Sequence, residues 1–326
     1  MPQLRILSGI KPSGKLHIGN YLGMVQNAVK LQDEHECYYM IADMHSLTEN
    51  YNAKEKREQT LGLVIELLAL GIDPEKSVLF IQSQLPEHAE LTWYFNTITP
   101  VAELQRMTQY KDFVARGHIA NVGLFDYPVL QAVDILLYKP AAVPVGQDQL
   151  QHLELTNTIA KKFNSKFGKT FDLVKPLLSA TPRVMSLLEP SKKMSKSLGE
   201  AHLINLSDDA KTIEKKLARA VTDTGKNSEM SEGTKNLFSL MSLFGGTEQV
   251  EFYEEQHKQK TIRYSDLKAN LAKLIAHHFA DYRERRLKLE KQPEYVTQVI
   301  AQGREKARTL ASVTLREVKE KMGLVL

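Results

Sequence analysis

The sequence predicts an α/β protein: a Rossmann-type parallel-sheet domain followed by an all-helical C-terminal domain. Three observations carry this. Up to about residue 200, short apolar runs alternate with helix-length amphipathic segments. One run, Val78-Leu79-Phe80-Ile81, is unbroken by polar residues, as in a strand covered on both faces. Beyond residue 200 only segments of helical spacing remain.

In chain order, residues 4–8 predict a first strand, leading into a turn from Gly9 to Gly14 and a helix that begins near Gly19. A second strand is expected over 37–42, a helix over 53–71 stopped by its glycine, and a third strand over 77–81. Helices follow over 87–97, 101–115 and 127–139, then a strand over 142–145 and a helix over 147–163. The later helices are expected over 208–221, 234–244, 247–256, 265–291 and 294–322. Gly245-Gly246 and Gln292-Pro293 punctuate them. The division is therefore 1–200 and 201–326, with the last helices free to pack back on the first domain.

The 326 residues suit about two domains of ~150 residues. With 42% hydrophobic and 25% charged residues, the composition excludes a disordered chain. No apolar run reaches the ~18 residues of a membrane span; the longest candidate, 61–72, is broken by Glu66. Arg5 and Lys11 bracket too short an apolar stretch for a signal peptide, so a cytoplasmic location is expected. Cys37 is the single cysteine, which excludes an intrachain disulfide and a multi-cysteine metal site. Of the net charge of +4, residues 281–326 contribute eleven Lys/Arg against seven Asp/Glu. That region suits a polyanionic partner and equally suits solvated helix faces.

Four stretches carry chemistry. Gly9-Ile10-Lys11-Pro12-Ser13-Gly14-Lys15-Leu16-His17-Ile18-Gly19-Asn20 lies where the first strand hands over to a helix, the edge at which open parallel sheets bind ligands. Gly9 and Gly14 suit turns, Gly19 suits close approach of a ligand, and a helix start offers N–H groups to an anion. An ordinary strand-to-helix turn fits the local pattern as well. In Lys193-Met194-Ser195-Lys196-Ser197, two lysines three apart among small hydroxyl residues suit a loop that covers phosphates. A solvated basic loop is the plainer reading of such a string.

Within Tyr127-Pro128-Val129-Leu130-Gln131-Ala132-Val133-Asp134-Ile135-Leu136-Leu137-Tyr138, the polar groups Tyr127, Gln131, Asp134 and Tyr138 share one helix face. The other positions are apolar, so the helix is expected to be buried, and a buried carboxylate needs donors. A ligand N–H or an internal network can supply them. Fourth, Val145-Gly146-Gln147-Asp148-Gln149-Leu150-Gln151-His152 follows a strand, and Asp148 suits either ribose hydroxyls or a helix cap.

The first two stretches, in this order, resemble the HIGH-type and KMSKS signatures of class I aminoacyl-tRNA synthetases. Ile18-Gly19-Asn20-Tyr21, Gly71-Ile72-Asp73-Pro74, Phe80-Ile81-Gln82-Ser83, Arg106-Met107-Thr108-Gln109, Asp134-Ile135-Leu136-Leu137-Tyr138, Val143-Pro144-Val145-Gly146 and Asp148-Gln149 extend the resemblance to the tryptophanyl branch of that family. It covers most of residues 4–200 and continues more loosely to the C-terminus.

The resemblance implies ATP-dependent attachment of L-tryptophan to tRNA(Trp) through a tryptophanyl-adenylate, with Mg²⁺ accompanying ATP. It implies a homodimer and places the anticodon contacts on the C-terminal helices. It makes Lys193, Lys196, Lys111, His17 and Asn20 the catalytic candidates. It implies an ATP site of Lys11, Pro12, Ser13, Gly19, Asn20, Gly146, Gln147, Asp148, Val184 and the five residues Lys193, Met194, Ser195, Lys196 and Ser197. For tryptophan it implies Asp134 as acceptor of the indole N–H, with Leu7, His45, Tyr127, Gln131 and Gln149 around it. No residue is assigned to a metal.

Four positions depart from the common pattern of that family. Lys11 stands where glutamine is common, Leu7 where phenylalanine lines the indole pocket, Gln131 where many members carry methionine, and Gln147 where glutamate is usual. A tyrosyl enzyme shares the fold and the Tyr127, Gln131, Asp134 pattern. A small-molecule nucleotidyltransferase shares the loop chemistry but does not need the helical second half. A non-catalytic RNA-binding paralogue is expected to lose the loop lysines, which are present here. Trp93, the one tryptophan, is expected in a core or a subunit interface. His277-His278 point to different helix faces and make a poor metal pair.

Overall fold

The computed structural model describes residues 3–117, 119–178, 182–223 and 229–325. Among these residues the sheet has five strands: β1 (Arg5–Ile10), β2 (Glu36–Ile41), β3 (Ser77–Ile81), β4 (Ala142–Val145) and β5 (Lys175–Leu178). They lie in the order β3-β2-β1-β4-β5, and every neighbouring pair is parallel. The chain builds outward from β1 through β2 to β3, then returns to the other side of β1 for β4. That reversal opens a crevice at the carboxyl ends of β1 and β4, where open α/β sheets take their ligands. Buried Ile6, Tyr39, Phe80 and Ile41 fill the strand interiors, which explains why these runs read as continuously apolar.

Two compact units are present. The first comprises residues 1–14, 28–180 and 292–326 and carries the sheet; the second comprises 15–27 and 181–291. Each unit therefore draws on chain from both sides of residue 200. The last helix, Pro293–Lys321, belongs to the sheet-bearing unit and lies along β3. Its cations Arg308 and Lys319 pair with Glu87 and Glu90 at 3.2 and 2.8 Å. Part of the positive charge near the C-terminus is thus engaged inside this unit. The second unit is helical, with Ala210–Ala218, Glu232–Lys258, Tyr264–His278 and Ala280–Glu290.

Local chemistry explains where the elements differ from expectation. The helix expected over 127–139 starts earlier, at Val122, because the Asn121 side chain caps it by accepting from the Leu124 N–H at 2.7 Å. The helix expected over 101–115 is two helices, Val101–Gln105 and Thr108–Ala115. The helix near Gly19 opens with a short α-helical turn, Ile18–Asn20, and passes into a π-helical turn, Tyr21–Val25. The fifth strand carries no clear signature in the sequence: Lys-Pro-Leu-Leu has a proline and little alternation, yet an edge strand tolerates both. Gly245-Gly246 does interrupt its helix, with Gly246 at φ 77°.

Candidate active site

In the sheet-bearing unit, the helix Val122–Leu136 runs beneath the strands with one face apolar and buried. Asp134 is buried on it and engaged from three directions. Gln82 Nε2 donates to Oδ1 at 2.7 Å and His88 Nδ1 lies 2.7 Å from the same oxygen; His45 Nε2 lies 2.6 Å from Oδ2. Burial alone would push this carboxyl up, but His45 and His88 outweigh it and hold its pKa down at about 2. Asp134 is therefore an anion at neutral pH. A carboxylate offers about four lone pairs. The three donors found among the described residues leave one, on Oδ2.

Of the other residues expected around tryptophan, His45 touches this carboxylate directly and Tyr127 reaches it through His45. Tyr127 packs edge-on to His45 with ring centroids 6.2 Å apart, and its hydroxyl meets Gln109 at 2.7 Å and His152 at 2.8 Å. Burial raises the Tyr127 phenol to about 12, so it stays protonated. Gln131 donates to Gln149 at 3.3 Å, and Gln149 donates to Asp148 at 2.8 Å. Leu7, on β1, is buried in the same apolar cluster as Tyr38, Phe80 and Tyr138. A cavity of about 430 Å³ opens beside His45 and Tyr127, walled by Leu47, Thr92, Asp126 and Leu130.

Two loops leave the carboxyl ends of β1 and β4. After β4, Gly146, Gln147 and Asp148 are exposed. A Cβ at Gly146 would sit 2.7 Å from the Asp148 carboxylate, so a larger residue there would turn that exposed side chain aside. After β1, Lys11 pairs with Glu49 at 2.5 Å. Together with Pro12, Ser13, Asn52 and Lys56 they line a polar cleft of about 130 Å³. Gly14 takes φ 93°, as a turn glycine does, whereas Gly9 does not: it is a regular member of β1, paired with Met40. Lys111 is exposed on the helix Thr108–Ala115.

The second unit gathers the remaining candidates. Leu16 to Ile18 join 204–206 like a short strand: the Ile18 N–H donates to Ile204 at 3.0 Å and the Leu206 N–H to Leu16 at 2.9 Å. The N–H at this helix start is thus engaged by protein rather than open to an anion. The Asn20 side chain accepts from the His17 N–H at 3.1 Å. A Cβ at Gly19 would lie 3.0 Å from the His17 ring, so the glycine makes room for that imidazole.

His17 is buried, and burial, with the charges of Lys196 and Lys193, lowers its pKa to about 4. The ring is neutral at pH 7. The lysine loop is pinned to 184–186: the Met194 N–H donates to the Val184 carbonyl at 3.0 Å and the Ser186 N–H to the Lys192 carbonyl at 2.9 Å. Ser195 accepts from the Ser197 N–H at 3.3 Å, and Lys193 is exposed. The unit therefore places a neutral imidazole and two lysines in one electrostatic cluster, a set able to stabilise phosphate oxygens.

The family model described as tRNA synthetases class I (W and Y) matches residues 1–280. The chain belongs to that family. It is 43% identical over 328 residues to a tryptophan–tRNA ligase of Caldanaerobacter subterraneus, covering 99% of both chains. It is 43% identical to tryptophan–tRNA ligase 2 of Streptomyces avermitilis, over 98% of this chain and 97% of the relative. Among solved structures it resembles the tryptophanyl-tRNA synthetase of Campylobacter jejuni complexed with ADP and tryptophan. The TM-score is 0.89 and the identity 34%, over 98% of this chain and 100% of that one. As a class I synthetase, the chain takes ATP as a substrate.

Sequence reasoning assigned no role to Gln82, His88, Gln109, His152 or Glu49. Gln82 and Gln109 lay inside strings that carried the resemblance. His88 gave no local signal, since a single histidine on an amphipathic helix has no periodicity of its own. Trp93 proves 69% exposed, so it is not a core residue of this chain.

Proposed function

We propose that this synthetase attaches L-tryptophan to tRNA(Trp), and that the buried Asp134 carboxylate, with one lone pair left on Oδ2, is what selects the indole N–H. A site built to bond a substrate N–H can reject an analogue lacking it by ~10⁴-fold or more. The full-length similarity to tryptophan–tRNA ligases supports the same reading. Leu7, His45, Tyr127, Gln131 and Gln149 complete the tryptophan site.

In the first step a tryptophan carboxylate oxygen attacks the ATP α-phosphorus, and the bond to the β-phosphate oxygen breaks to release pyrophosphate. The carboxylate is already ionised at neutral pH, so no general base is needed. The protein's task is alignment and stabilisation of charge on the phosphates. Lys193, Lys196 and Lys111 supply cations for it, and neutral His17 and Asn20 assist as hydrogen-bond partners. Lys11, Pro12, Ser13, Gly19, Gly146, Gln147, Asp148, Val184, Met194, Ser195 and Ser197 hold the nucleotide, which arrives as its Mg²⁺ complex. In the second step a terminal ribose hydroxyl of tRNA attacks the adenylate carbonyl, and AMP leaves. The C-terminal helices, within residues 201–326, carry the anticodon contacts. The enzyme works in the cytoplasm as a homodimer; exposed apolar Trp93, Ile119 and Val122 support a subunit interface.

The test is ATP–pyrophosphate exchange with purified protein. Exchange that depends on tryptophan supports the reading. Exchange with tyrosine alone would replace it by the tyrosyl activity, the other specificity of the family.

A further inference from the structure

Asp134 is held by three donors that are not equivalent. The Gln82 amide is fixed at its other end, because its Oε1 accepts from the Met44 N–H at 3.1 Å. That contact turns its NH₂ toward Asp134 Oδ1. His88 is wholly buried, lies over the Phe80 ring at 6.3 Å, and bridges two groups: Nδ1 faces Asp134 Oδ1 at 2.7 Å and Nε2 faces the Tyr138 hydroxyl at 2.9 Å. His45, by contrast, is partly exposed and reaches Oδ2 alone.

The hydrogen positions follow from the partners. Burial pushes the Tyr138 phenol up, so it keeps its proton. The hydroxyl has His88 Nε2 within reach and donates to it. Nε2 is then the nitrogen that accepts, and the Nδ1 proton is aimed at Asp134. With Gln82, this fills both lone pairs of Oδ1 with donors that have no freedom to turn away.

We propose that His88 is a positioning residue for substrate choice. Locked in one tautomer by Tyr138, it saturates Asp134 Oδ1, fixes the carboxylate plane and leaves Oδ2 as the oxygen that takes the ring N–H of the amino acid. The inference rests on the tryptophan reading of this site. Without His88 the carboxylate can rotate, Oδ1 gains an open lone pair, and the geometry that distinguishes an N–H donor from a non-donor is lost.

The experiment compares kcat/KM in ATP–pyrophosphate exchange for tryptophan and for its benzothienyl analogue, in which sulfur replaces the ring N–H. His88→Leu is expected to narrow the wild-type preference for tryptophan at least tenfold. His88→Asn, whose amide NH₂ can replace the Nδ1 donor, is expected to stay within threefold of wild type. A purely structural role would lower both substrates together. A folded His88→Leu protein with an unchanged preference would overturn the proposal. Should that variant not fold, ¹⁵N NMR of the wild-type imidazole decides: a proton on Nδ1 with bare Nε2 supports it, and the opposite tautomer overturns it. If the wild type shows no tryptophan-dependent exchange, the activity reading fails, and the tautomer measurement still judges the hydrogen-bond assignment separately.

Discussion

Gly303 and Leu79 approach so closely that a Cβ on Gly303 would sit 1.8 Å from the Leu79 carbonyl oxygen. The last helix therefore lies directly on β3, backbone against backbone. Gly303→Ala must push the helix away from the strand. Overpacking of this kind costs about 1–3 kcal/mol, and a backbone neighbour cannot move aside as a flexible side chain can. The expected outcome is a lower melting temperature and a lower urea midpoint, measured by circular dichroism. Ala307→Gly, a residue on the same helix, should weaken the helix by only about 1 kcal/mol plus a methyl's packing.

That contact also marks what could be read from the chain alone. The strands β1 to β4 were legible because each is an apolar run with glycine or polar residues around it. The membership of the last helix was not, because its amphipathic period says only that one face is buried, not against what. β5 was hidden by its proline and its exposed edge position. At the site, Asp134 and the two lysines of the loop stood out as polar groups in telling surroundings. Gln82, His88 and Glu49 did not, since their importance comes from partners 52, 46 and 38 residues away in the chain.

His17 should make stability depend on pH in a defined window. Its folded pKa, near 4, is below the unfolded value of 6.5, so the unfolded chain binds more protons between the two. This contribution is intact above pH 6.5, declines as the pH falls, and is fully lost below about 4. The total is roughly 3 kcal/mol as an upper bound, because each pKa unit corresponds to about 1.4 kcal/mol. Urea titrations from pH 7 to 4 on wild type and His17→Gln should diverge in this direction. Lys196→Ala should raise the His17 midpoint in an NMR titration, because it removes a nearby positive charge.

Lys196→Ala should separate binding from chemistry. The lysine is in the second unit, whereas the side chains proposed to bind tryptophan are in the sheet-bearing unit. Tryptophan affinity by calorimetry should change less than threefold. The exchange rate should fall at least 10²-fold, about 3 kcal/mol of lost stabilisation of charge on the phosphates. Equal losses in both measurements would contradict the assigned role.

Asp134→Asn tests the carboxylate itself. The amide oxygen can keep the donors of Gln82 and His88, while the new NH₂ takes the place of Oδ2. His45 can accept there by changing tautomer, so the fold should survive. The ring N–H of tryptophan would then meet a donor instead of an acceptor. KM for tryptophan is expected to rise at least 10²-fold, with ATP binding unchanged, as checked by exchange kinetics at saturating ATP. The substitution also has a signature in acid. The native carboxyl, held near pKa 2, lies below its unfolded value of about 3.9, so its stabilisation is present above pH 4 and lost as the pH falls through 2. Unfolding free energy measured between pH 5 and pH 2 should therefore fall more steeply for the wild type than for Asp134→Asn, and parallel curves would show that Asp134 does not carry its charge in the folded protein.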